Sequence, residues 1–181
     1  MVRTPQIPRQ RNTRAPMTRR TTLIIAGISV GIIGISGALS SAEILIWNRT
    51  PSAPVGLYWK SDGPLTQNGW AVVSEKSKAA IWASENGFTG KDWPLIKRVR
   101  GTAGDTVCRQ GLRVFINGMV VAEALETDQI GRSLPVWQGC QSLGADEAFL
   151  LNEHPRSLDG RYFGVTKSKD ISGGALLLWE W

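Results

Sequence analysis

Arg113-Val114-Phe115-Ile116-Asn117-Gly118-Met119-Val120-Val121 is two β-prone runs joined by Asn-Gly. Both turn residues tolerate positive φ, which makes this the strongest short hairpin signal a sequence can carry. Working outward from it, further β-prone runs occur at 69–74, 95–100, 147–151, 161–166 and 175–179. Past Trp47 a helical stripe is present only at 76–86, where Ala79, Ala80, Ile81 and Trp82 favour a short helix. Most of the 20 glycines and 9 prolines fall in the gaps between these runs. The pattern predicts a mostly β body, an antiparallel sheet or small barrel.

The chain has 181 residues, enough for one ordinary domain with an accessory segment and too few for a multidomain machine. Hydrophobic residues make up 42% and charged residues 20%, which excludes wholesale disorder and a polytopic membrane protein. Charge is not spread evenly. Arg3, Arg9, Arg11, Arg14, Arg19 and Arg20 lie in the first 20 positions with no acidic residue, and the remainder carries 15 basic against 15 acidic side chains. The whole net charge of +6 therefore sits on the tail. Nucleic-acid recognition needs a basic face on the folded domain, so no nucleic-acid partner is expected.

Residues 21–42 follow the arginines without a charge. As a helix they span roughly 33 Å, enough to cross a bilayer. The positive-inside rule keeps residues 1–20 as a cytoplasmic tail and sends 43–181 across as an exported domain. A cleaved signal peptide competes with this reading, because Ala38-Leu39-Ser40 offers small residues at peptidase spacing and Arg19-Arg20 resembles a twin-arginine signal. The apolar run is longer than a signal h-region of about 7–15 residues, which favours a retained anchor. Trp47 and Trp59 flank the segment after the membrane and are candidates for its interface.

Export bears on the two cysteines, Cys108 and Cys140, for which a disulfide is the default in an oxidising compartment. Closing a loop of about 33 residues contributes roughly 3–4 kcal/mol in the chain-entropy picture. Two cysteines and one histidine, His154, lack metal-ligand spacing, so neither a metal nor another cofactor is expected.

Three segments carry chemistry. In the first, 48–58, Pro51 and Pro54 bracket Ser52 and stiffen the backbone that holds its hydroxyl. By itself it also reads as a Pro-rich linker with an idle serine. In the second, 93–105, strand alternation puts Leu95, Lys97 and Val99 on one face and Ile96, Arg98 and Arg100 on the other. A lysine desolvated on an apolar face loses basicity and becomes a usable general base, whereas a surface lysine would merely snorkel. In the third, 152–164, a polar turn leads into a strand, and Asp159 and Arg161 are two apart, able to pair on one face.

In this order the segments resemble the boxes of the type I signal peptidase family of serine peptidases: a serine soon after a membrane anchor, a Lys-Arg strand running into Gly-x-x-Gly-Asp (101–105), and Ser-x-Asp-x-Arg-Tyr-Phe-Gly (157–164). The Ser-x-Pro-x-Gly-Leu-Tyr form of the first box is similar to the TraF branch, the conjugative-transfer peptidases that mature pilin subunits. The resemblance runs from about residue 20 to the C-terminus. It implies Ser52 as nucleophile and Lys97 as neutral-amine base. It also implies Thr50 as oxyanion donor beside the Ser52 N–H, Ser157 orienting the lysine, and Asp159 with Arg161 bracing the site. The implied setting is a bacterial inner membrane, crossed once with the catalytic domain in the periplasm. The implied partners are a pilin precursor or other exported peptide, cleaved or cyclised, and type IV secretion components.

This chain has one anchor and no room for a large second domain, which favours a dedicated substrate over general preprotein processing. Two rivals stand beside it: a Ser52–His154–Asp159 triad, which leaves Lys97 unexplained, and a non-catalytic membrane-tethered β-domain adaptor of a secretion channel.

Overall fold

A computed structural model describes residues 18–40 and 44–181, so the tail with Arg3, Arg9, Arg11 and Arg14, and residues 41–43, lie outside the described residues. The chain divides into two units, 1–42 and 43–181.

The first unit holds helix α1, Arg19–Ser40, whose Arg19–Ser36 window has mean hydropathy 1.3. Its Ser29 and Ser36 hydroxyls donate back to the carbonyls of Ile25 and Ile32, so the helix offers few unmet polar groups. It is long and apolar enough to cross a membrane.

The second unit is mostly β. Seven strands form one antiparallel sheet: β1 (Leu45–Asn48), β2 (Gly56–Ser61), β3 (Trp70–Val73), β4 (Leu95–Gly101), β9 (Glu147–Leu150), β10 (Thr166–Lys167) and β11 (Ile171–Glu180), in the order β1-β2-β11-β3-β4-β9-β10. Four more, β5 (Thr106–Gln110), β6 (Arg113–Ile116), β7 (Met119–Glu123) and β8 (Gly139–Ser142), form a second antiparallel sheet ordered β7-β6-β5-β8. Between β6 and β7, Asn117 and Gly118 both take positive φ, 51° and 78°, as the Asn-Gly signal requires. The 76–86 stripe is helix α2, Lys78–Glu85, capped by the Ser77 hydroxyl on the Ala80 N–H.

Two expectations need correction. Residues 161–166 are not a strand: Gly160–Phe163 is a helical turn, α3, and only Thr166 of that run joins a strand. Asp159 caps α3 by accepting the Arg161 N–H, and this local bond outweighs the β propensity of Tyr and Phe. The first chemical segment is not a linker either, because β1 and β2 pair around it, with Asn48 opposite Gly56.

Val107, Val114 and Ile116 of the second sheet pack with Phe149 of β9 and Leu151 just beyond it, joining the sheets in one core. Ala71, Leu95, Val99 and Leu150 form a core under β3 and β4. Cys108 and Cys140 face each other across β5 and β8 and are disulfide-bonded.

Candidate active site

Lys97 lies mid-strand in β4, opposite Ala71 of β3, and is only 5% exposed because Leu95 and Val99 on its own face are core residues. Its Nζ donates to Ser157 Oγ at 3.1 Å. Burial, the dominant cause, pulls its pKa from the ordinary 10.5 down to about 8; Asp159 opposes the shift and Arg161 adds to it. At pH 7 about a tenth of such lysines are neutral, compared with fewer than one in a thousand in water.

Ser157, Asp159 and Arg161 are all buried on the turn after β9. Arg161 grips the Asp159 carboxylate at both oxygens, Nε to Oδ1 at 2.9 Å and Nη2 to Oδ2 at 3.2 Å. Its remaining donors reach the carbonyls of Pro155 (2.8 Å) and Asn152 (2.6 Å). Asp159 Oδ2 also accepts the Asn152 N–H. This fork closes the 152–161 turn on itself, so Ser157 is held by the turn rather than by strand geometry. Position 160 must be glycine, because a Cβ there would meet the Leu150 carbonyl at 2.7 Å and the Phe149 ring at 2.8 Å.

The turn is tied to the lysine strand by Asn152. Its side chain accepts the Arg98 N–H (2.8 Å) and donates to the Ile96 carbonyl (3.2 Å), bonding the backbone on both sides of Lys97. From β5 of the second sheet, buried Arg109 donates to the Arg161 carbonyl at 2.6 Å, and Trp137, in the segment before β8, donates through Nε1 to the Gly160 carbonyl at 2.9 Å.

Ser52 sits half-buried in the loop between β1 and β2. Ala53, next to it, packs with Tyr58 and with Ile96, the neighbour of Lys97. Among the described residues no hydrogen bond joins Ser52 Oγ to Lys97 Nζ; the partner of the amine is Ser157. Thr50 is exposed, and its hydroxyl donates to Asn48 Oδ1 at 2.9 Å.

Asp105 closes the Gly-x-x-Gly-Asp turn by accepting from the Thr102 N–H and from Asn117 Nδ2, bonds that hold its carboxyl below the usual range. His154 Nδ1 accepts the Arg156 N–H, and Asp159 is taken by Arg161 and Asn152, so the histidine–aspartate bond of a triad is not made. Asn48, Asn152 and Arg109 also belong to the site, without a role in the sequence motifs. An Asn closing a strand before a turn is a signal that could have found Asn48. Arg109 carries no such signal: one partner, the Gly111 carbonyl, is two residues away, but those of Pro135 and Arg161 lie far along the chain.

A serine loop and a buried, weakly basic lysine on an antiparallel β body have the makings of a serine hydrolase. Residues 17–181 match the family described as "Signal peptidase, peptidase S26", and the chain belongs to that family of serine peptidases. Two Escherichia coli proteins, each called plasmid transfer protein TraF, are similar to it: one is 29% identical over 160 residues, covering 82% of this chain and 88% of its own, and the other is 31% identical over 160 residues, covering 81% and 88%. Among solved structures, a signal peptidase I from Enterococcus faecalis is 20% identical and covers 63% of this chain and 98% of its own, at a TM-score of 0.35.

Proposed function

We propose that this chain is a single-pass membrane serine endopeptidase that processes an exported peptide in plasmid transfer, with a pilin precursor as substrate. Residues 1–20 are its cytoplasmic tail, 21–42 its inner-membrane anchor and 43–181 its periplasmic catalytic domain. In this reading Lys97 takes the Ser52 proton, and the alkoxide attacks the substrate carbonyl. The Ser52 N–H and the Thr50 hydroxyl receive the oxyanion, and Lys97 then protonates the leaving amine. Either water or the amino terminus of the same subunit resolves the acyl-enzyme, giving a linear or a cyclic product.

The observation that carries the reading is a lysine buried among apolar residues, lowered to about pKa 8 and held by a serine hydroxyl. A structural lysine has no need of such a place, since burying the cation costs stability. Similarity to two plasmid transfer proteins supports the setting in conjugation.

Mass spectrometry of the pilin subunit from cells with wild-type protein or Ser52→Ala tests it. Wild type is expected to yield the processed subunit and Ser52→Ala only the precursor. A product one water lighter than the linear peptide marks cyclisation. Unchanged processing with Ser52→Ala would support the adaptor reading instead.

A further inference from the structure

Asn48, the last residue of β1, is buried at the mouth of the serine loop. The two hydrogens of its Nδ2 serve three carbonyls, that of Thr50 at 2.9 Å on one side of Ser52 and those of Ala53 at 3.1 Å and Pro54 at 2.9 Å on the other, so one N–H is shared. Its Oδ1 accepts the Thr50 N–H at 3.2 Å and the Thr50 hydroxyl at 2.9 Å. The amide has one sensible orientation, because carbonyls can only accept and must face the NH2 group. The Thr50 hydroxyl owns one proton, and that proton points at Asn48 Oδ1. Pro51 and Pro54 have no N–H to offer the loop, so its carbonyls depend on side chains for their bonds: Asn48 reaches three of them, and the Tyr58 hydroxyl also donates to that of Pro54 at 2.8 Å.

Resting on the Ser52 reading above, we propose that Asn48 is a positioning residue for the nucleophile. It clamps the backbone on both sides of Ser52 and holds the Thr50 proton in reserve. When negative charge develops on the substrate oxygen, the hydroxyl turns about its Cβ–Oγ bond and gives that oxygen the hydrogen bond it had made to Asn48. No covalent bond changes in this step, and the Thr50 N–H remains on Oδ1, so the clamp survives the exchange.

The test uses the purified full chain and an internally quenched peptide with alanine at the first and third positions before the scissile bond. Asn48→Ala is expected to lower kcat at least 100-fold, change KM less than about 3-fold and leave the midpoint of the pH–rate curve unmoved, because no partner of Lys97 is touched. Thr50→Val is expected to cost at least 10-fold in the wild-type chain and less than about 2-fold once Asn48 is alanine, because a loose loop no longer aims the hydroxyl. If Asn48→Ala does not fold, the isosteric Asn48→Asp, which keeps the acceptor and loses the donors, is expected to show the same fall in kcat at near-constant KM. Full kcat per folded molecule in either Asn48 variant overturns the proposal, as does a Thr50→Val cost that is equal in both backgrounds. Ser52→Ala serves as the control: cleavage by it overturns the enzymatic reading as well, whereas a dead Ser52→Ala beside a fully active Asn48→Ala overturns only the role of Asn48.

Discussion

Lys97 holds its amine where a charge is expensive. Its folded pKa, about 8, lies below its unfolded value of about 10.5, so the unfolded chain binds more protons between those limits. The cost to stability is therefore present in full below pH 8 and is relieved as pH rises toward 10.5. At about 1.36 kcal/mol per unit it amounts to roughly 3 kcal/mol at pH 7. Lys97→Met is accordingly expected to unfold at higher urea than wild type at pH 7, the gain being reduced by the partner that Ser157 loses, and the difference should shrink by pH 10. Equal midpoints at pH 7 and pH 10 would contradict the lowered pKa. The rate of wild-type cleavage should rise with pH through about 8, since only the neutral amine accepts a proton. Ser157→Ala should lower kcat by roughly 10–100-fold with little change in KM, through loss of the bond that aims Nζ.

The turn from Asn152 to Phe163 works as one element. The Asp159–Arg161 pair is almost wholly out of solvent, so Asp159→Asn leaves a buried guanidinium short of its counter-charge. Denaturant titration is expected to show a loss of about 3–5 kcal/mol, and a loss under 1 kcal/mol would mean the fork does not hold the turn. How far this element could be read beforehand varies along its length. Asp159 and Arg161 were legible as a pair, but for a different geometry, because a two-residue spacing suits both a strand face and a cap on a helical turn. The cap won through the Arg161 N–H, and Gly160 made room for it against β9. The hairpin at Asn117-Gly118 was legible because two residues and their φ preferences settle it locally. Strands β1 and β2 were not, since the prolines between them mask a pairing that begins at Asn48 and Gly56. The Arg161 carbonyl that Arg109 binds is brought to it only by packing of the two sheets.

At the scale of the molecule, register gathers Leu45, Trp59 and Leu176 across β1, β2 and β11 on one exposed face. Trp181 meets Trp47 and Trp179 there edge to face, with ring centroids 4.4 and 5.3 Å apart. Trp47 and Trp59, candidates for the membrane interface by sequence, both lie on this exposed apolar face. In vesicles with brominated acyl chains, the tryptophan fluorescence of the full chain should be quenched, and serine at 47, 59, 179 and 181 should remove most of the quenching. Quenching that persists undiminished would exclude this face from the bilayer. Reducing the Cys108–Cys140 bond should lower the thermal midpoint, in line with a loss of about 2–4 kcal/mol, while cleavage per folded molecule stays constant. A reduced protein that melts like the oxidised one would contradict that structural role. The proposed chemistry turns on a lysine that works as a free amine rather than as a charge. The most direct test is the cleavage rate of folded Lys97→Arg in the full chain, assayed beside Ser52→Ala. Arginine keeps the cation and most of the length but supplies no neutral amine at any usable pH, so the two variants should be equally inactive. Processing by Lys97→Arg at near wild-type rate would contradict the account, and loss of activity in His154→Ala would redirect it to a triad.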